Sequence, residues 1–225
     1  MALLGTGAVL IWHDIVPEGR DVFYAWHGRE HMLERVAIPG FRRGRRYIAH
    51  RGNLEFFNLY EADTVDVLRG PDYQARLEAP TPWTVAAVKH FRSVNRAICT
   101  VAHSAGVGGG GLLATWRYDA PDADVARLWH AILRPLAEAE GVAGVHLLLA
   151  DREASAVDSA ERKVREDRNI IPTGAILVEG WGDAAPFEDL CERALPTDVL
   201  RALGFDGPIG SSRTRPWPAP RRTRP

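Results

Sequence analysis

AVLIWHDIVPEGRDVFYAWHGREHMLERVAIPGF, residues 8–41, carries the marks from which the fold is read. Trp12 is followed by Pro17, then by Trp26-His27, then by Gly40-Phe41. Near residue 116 the marks return in the same order, as Trp116, Pro121, Trp129-His130 and Gly144-Val145. The Trp-to-Pro spacing is the same, and the later spacings differ by single-residue slips. A repeat of about 104 residues is too long for a solenoid unit and right for a small domain.

Within the first copy, Ala8 to Asp14 is an apolar run of β type, Pro17-Glu18-Gly19 a turn, and Asp21 to about Ala37 a helix. Pro39-Gly40 ends that helix, because proline disfavours helix before it and glycine permits a turn. Phe41 to His50 and Leu54 to Glu61 read as a hairpin across the tight turn Arg51-Gly52-Asn53. Short helical segments follow near Thr64 to Leu68 and Asp72 to Leu77, Pro80-Thr81-Pro82 interrupts, and Val94 to His103 closes the half as a strand. The order is βαββαβ.

After the glycine-rich linker of residues 106–111 the second copy reads the same way. Leu112 to Tyr118 is a strand, Asp122 to Ala139 a helix, and Val142 to Ala150 and Ala175 to Trp181 are strands. The charged stretch Asp151 to Pro172 stands where the first half has a tight turn. Pro186 to Ala194 is the second helix, and Pro208 to Thr214 is placed as the last strand. Residues 216–225 form a Pro/Arg-rich tail expected to be disordered. The expected fold class is therefore α+β, two tandem ferredoxin-like halves (1–105 and 106–215) packed sheet to sheet as a pseudo-dimeric α/β barrel. Each half leaves one sheet face bare, and stacking the two bare faces removes apolar surface from water.

Totals narrow the function. The 225 residues are 46% hydrophobic and 25% charged, enough for a sizeable core, with a net charge of −1. That balance speaks against nucleic-acid binding. Basic residues are almost all arginine; Lys89 and Lys163 are the two lysines. No apolar run approaches the roughly 18 residues of a membrane span. Met1 to Leu10 has no basic leader, so a cytoplasmic protein is expected. Cys99 and Cys191 have neither paired spacing nor a metal pattern and are expected as buried thiols. Neither a dinucleotide fingerprint, a phosphate-binding P-loop nor a nucleophile elbow is present.

The motif Trp26-His27-Gly28-Arg29-Glu30-His31, with Ile38-Pro39-Gly40-Phe41 and Arg45-Arg46-Tyr47, resembles the EthD-like branch of the dimeric α/β-barrel superfamily. The resemblance is clearest over residues 8 to 95; in the second half Trp129-His130 persists, but Pro135 stands near the place of His31. It implies a site surviving mainly in the first half. It also implies a range of chemistries: cofactor-free monooxygenases, muconolactone-type isomerases, polyketide cyclases and haem proteins.

His27 and His31, four apart, share a helix face, where an imidazole can act as general base; without a third ligand no metal site is expected. A helical wheel makes Val22, Trp26, Leu33 and Val36 the apolar face and puts both histidines on its flank. Strand alternation sends Arg43 and Arg45 to one face and Arg42 and Arg46 to the other. Arg43 and Arg45 are candidates to hold a carboxylate, or else charges guarding an edge strand. Trp12, Tyr47 and Tyr60 on three strands, and Trp83 in the loop after Pro82, are candidates to line an apolar pocket. Asn58 shares a strand face with Phe56 and Tyr60 and must find a partner or a ligand.

Three functions stay open. One is an enzyme without organic cofactor, acting on a cyclic or aromatic metabolite by proton transfer through His31 with His27. It would be an isomerase, cyclase, lyase or monooxygenase. Another is a non-catalytic small-ligand binder. The third is a haem-binding pseudo-dimer with His130 or His146 as axial ligand. The expected partner is a small molecule, with pairing of whole chains into a homodimer allowed.

Overall fold

The computed structural model describes residues 3–165, 168–205 and 208–216. Its strands are β1 (Gly7–Ile15), β2 (Phe41–Gly52), β3 (Phe56–Ala62), β4 (Phe91–Gly106), β5 (Leu112–Tyr118), β6 (Val142–Ala150), β7 (Gly174–Gly180) and β8 (Pro208–Pro216). They close one antiparallel barrel in the order β4-β1-β3-β2-β8-β5-β7-β6, with β6 returning to β4. Each half thus repeats the ferredoxin-like order, and the halves join edge to edge at β2·β8 and β4·β6. β2 has a neighbour on both sides over Tyr47–Gly52, whereas its arginine run, Arg42 to Arg46, is paired with β3 alone among the described residues.

The last strand begins where the sequence placed it and runs two residues further, to Pro216. Residues 217–225, the rest of the expected tail, lie outside the described residues. Between β7 and β8 two helices, Ala184–Ala194 and Thr197–Ala202, cover the second half.

The first long helix, α1, is a composite: α turns Arg20–Trp26, a π turn His27–His31, then α turns Met32–Val36. The Met32 N–H donates to the His27 carbonyl, five residues back. This wider turn changes the helical phase, so the buried stripe is Phe23, His27, His31 and Arg35, with Trp26 beside it. Leu33, at 60% exposure, and Val36 turn outward. The wheel drawn at 100° per residue misplaced them because it assumed an unbroken α-helix. A π turn also occupies Trp129–Leu133 in the equivalent helix, α5 (Val125–Leu136), where the Arg134 N–H donates to the Trp129 carbonyl.

Inside the barrel, Leu10, Trp12, Tyr47, Phe57, Leu59, Leu113, Leu148 and Leu177 form the core shared by both halves. Trp12 stacks on Phe57 at 4.7 Å, and its Nε1 donates to Thr115 Oγ1 at 3.0 Å. Trp116 faces the opposite way, into the helix-side core of its own half. The two tryptophans that mark the sequence repeat are therefore out of phase by one residue. Strand register gives the true correspondence: Ala8 faces Glu61 as Leu113 faces Glu179.

Candidate active site on the helix face of the first half

On the helix side of the first-half sheet lies a cavity of about 370 Å³. Its floor is β1 and β3, through Ile11, Asn58 and Tyr60; its walls include Trp26, His27 and His31 of α1 and Phe91 of β4. The corresponding space in the second half is filled by Trp116, Tyr118, Leu133, Phe187 and Phe205.

Helices fix the wall. The helix α2 (Val65–Arg69), then α3 (Pro71–Glu78) and α4 (Pro82–Val88), follow β3. Thr81 caps α4, accepting from the Thr84 N–H at 3.0 Å and donating to Glu30 Oε1 at 2.6 Å. Trp26 Nε1 donates to Thr84 Oγ1 at 3.1 Å. The π turn is thus tied to α4 on both sides of His27. Trp83 itself lies on α4, partly buried among the aromatics around Phe23; proline at the first helical position starts a helix there instead of extending the loop.

Three histidines meet at this face. His13 is fully buried between Phe56 and Phe91, with ring centroids at 5.3 and 4.3 Å. Burial holds its pKa down, at about 3, so it is neutral. Asn58 Nδ2 donates to its Nε2 at 3.0 Å, the partner that the sequence required of Asn58. The His27 Nε2 lies 3.4 Å from the Tyr60 hydroxyl. His31 packs on Trp26 at 4.2 Å, and its Nδ1 is buried without a hydrogen-bond partner among the described residues. Burial, then the charges of Arg46 for His27 and Arg35 for His31, hold both imidazoles well below their ordinary pKa. Burial likewise pushes the Tyr60 phenol up. All three therefore stand neutral at pH 7, as acceptors or weak donors.

The other candidates lie elsewhere. Trp12 and Tyr47 are in the barrel interior, because the pleat sends them to the face opposite Asn58 and Tyr60. Arg43 and Arg45 also point inward, at one mouth of the barrel, and the carboxylates they hold belong to the protein. Both donate to Glu61 Oε1, at 2.9 and 3.0 Å, and Arg45 reaches Glu179 at 2.6 Å. His146 Nε2 is 3.2 Å from Glu179, and its Nδ1 is 2.9 Å from Ser104 Oγ. Neither proposed axial histidine lines the first-half cavity: His146 is buried against Glu179, and His130 is exposed. Among the described residues no cluster of three or more potential metal ligands occurs. Nor is any helix there long and apolar enough to cross a membrane.

Sequence reading missed the far wall. Arg35, Tyr73 and Arg96 join from the first half, and Glu161, Arg162 and Arg165 from the β6–β7 connection of the second. The available signal was the length and charge of residues 151–172, against the three-residue turn in the first half.

No protein-family model and no curated protein matches the chain. Solved structures do. The chain is similar to an anthrone oxidase-like protein, with TM-score 0.60 and 12% identity over 94% of this chain and 91% of that one. It is similar to a mutant chlorite dismutase from Candidatus Nitrospira defluvii in complex with cyanide, with TM-score 0.55 and 11% identity over 95% and 91%. A heme-binding protein from Thermus thermophilus gives TM-score 0.50 and 12% identity over 95% and 92%. At such identities the likeness is one of fold, the ferredoxin-like dimeric α/β barrel.

Proposed function

We propose that the first-half cavity binds a cyclic or aromatic metabolite and that His31, supported by His27 and Tyr60, moves a proton on it without an organic cofactor. The observation that carries this reading is that His31, whose Nδ1 has no hydrogen-bond partner among the described residues, lines a cavity together with Trp26, Tyr60 and Phe91. An imidazole held neutral by burial is in the free-base form that a general base requires at pH 7. Aromatic walls bury a planar ligand beside it. The chemistry belongs to the isomerase, cyclase, lyase or monooxygenase type, in keeping with the EthD-like motif at Trp26 to His31. The anthrone oxidase-like neighbour supports the small-molecule reading at the level of fold.

The test is a turnover screen with aromatic and cyclic metabolites, comparing wild type with His31→Ala at matched thermal stability. Loss of turnover in the variant is expected; wild-type turnover would reject the role of His31. Ligand binding without turnover in either protein would favour a carrier or sensor built on the same cavity. A Soret band appearing on haem addition would overturn the cofactor-free part of the reading.

A further inference from the structure

We infer that the ligand of this cavity is an anion, an aromatic carboxylate whose charged end is held by arginines of the second half. This rests on the small-molecule reading above and adds the substrate class.

The β6–β7 connection of the second half is laid over the first-half cavity and fastened there. Asp151 N–H donates to the Ile98 carbonyl at 2.8 Å, and the Ile98 N–H donates to Ser155 Oγ at 2.8 Å. Further along, the Ile170 N–H donates to the Val94 carbonyl at 2.9 Å and the Arg96 N–H to the Ile170 carbonyl at 3.0 Å. Asn169 Nδ2 donates to the Arg96 carbonyl at 3.1 Å. The described residues of this connection, held at those anchor points, contribute fixed charges to the cavity.

Among the described residues those charges are unequal. The described lining holds Arg35, Arg96, Arg162, Arg165 and Arg168 against Asp158 and Glu161. Each acid already has a cation: Glu161 pairs with Arg35, and Asp158 with Lys163 at 3.9 Å. Arg96 spends one nitrogen on the Tyr73 hydroxyl at 2.9 Å. Arg35 is 3% exposed, and its second terminal nitrogen, Nη1, has no hydrogen-bond partner among the described residues. A buried guanidinium N–H without a partner is costly, and a ligand oxygen removes that cost.

Geometry separates the ends of such a ligand. Aromatic walls and His31 line the inner part, between sheet and α1, whereas Arg162, Arg165 and Arg168 belong to the connection across it. A planar guanidinium fork matches a carboxylate with two parallel hydrogen bonds. The anion would also offset part of the field by which Arg35 disfavours the charged form of His31, favouring proton uptake by that imidazole on binding.

The experiment is calorimetric titration of the full chain with 1-naphthoate and with its uncharged analogue 1-naphthamide. Wild type is expected to bind naphthoate more tightly by about ten-fold or more, with a preference that shrinks as salt rises. In the double variant Arg162→Gln/Arg168→Gln the ratio is expected to fall toward one. Equal affinity of the two probes in wild type, which needs no variant, would overturn the anion assignment and leave the aromatic cavity standing. A preference unchanged in the folded double variant would overturn the role of the second half. Binding of neither probe would overturn the cavity reading and this inference together.

Discussion

Glu61 and Glu179 occupy matching places in the two halves, and each accepts a backbone N–H from the segment leading into its own half's first strand. Leu4 N–H donates to Glu61 at 2.7 Å and Gly110 N–H to Glu179 at 2.9 Å. Arg45 bridges the two carboxylates, so the pair is a seam between the halves. Burial alone would raise the Glu179 carboxyl, but hydrogen bonds from His146 and Arg45 outweigh it and hold the pKa at about 2. Glu179 therefore adds stability above its unfolded pKa of about 4.5, and loses it as pH falls toward 2.

Arg45→Ala is expected to destabilise the barrel by about 3–5 kcal/mol, because it leaves buried carboxylates without their bridging cation. It should also remove much of the loss of stability between pH 4.5 and 2, the window set by Glu179. Urea unfolding at a series of pH values measures both effects. An unchanged midpoint at pH 7 would contradict the seam.

His13 acts in the same direction as Glu179, from a higher ordinary pKa. Its folded pKa of about 3 lies below the ordinary 6.5, so the unfolded chain takes up the proton first. Stability is expected to fall as pH drops below 6.5, by up to about 1.4 kcal/mol per pH unit from this one group. His13→Phe should flatten that slope while costing stability at pH 7 through the lost acceptor for Asn58. A slope as steep in the variant as in wild type would refute the assignment.

Trp12→Phe is expected to cost about 1–3 kcal/mol, since it removes the bond to Thr115 across the barrel and part of the packing on Phe57. Ligand affinity of the first-half cavity should be unaffected, because Trp12 lies on the other face of the sheet. A large drop in affinity at preserved stability would place Trp12 back among the binding residues.

Deleting Gly28 is expected to turn the π turn of α1 into an α turn while Phe23, His27, His31 and Arg35 keep one face, since they then stand four, three and four residues apart. Arg35 should keep Glu161, and His31 its place at the cavity. Retained ligand binding with a retained far-UV spectrum is the expected outcome. Loss of binding would show that the wider turn itself shapes the site.

The architecture was legible because each half writes it in elementary signals: apolar runs of strand length, a Pro-Gly stop and a tight hairpin turn. Even so, one of the marks was fortuitous, as Trp12 and Trp116 face opposite sides of the sheet. The equivalence visible only in the folded chain is that of Glu61 and Glu179. At the site, Asn58 and Tyr60 were readable because strand alternation survives folding, whereas the burial of His31 and Arg35 was not. A π turn has no composition of its own, and it carried His31 from the flank into the buried stripe that Arg35 shares. The arginines of residues 162–168 were out of reach for another reason. Their sequence distance from His31 exceeds a hundred residues, and only barrel closure brings them over it.

Closure has a consequence for biosynthesis. β8 joins β2 to β5, yet it is the last of the eight barrel strands to leave the ribosome. Until residues 208–216 emerge, the hydrogen-bonding rims of β2 and β5 stay open to any passing strand, and a nascent chain stalled short of Pro208 would be a template for aggregation. Arg51 gives that waiting rim a charge that repels its own copies.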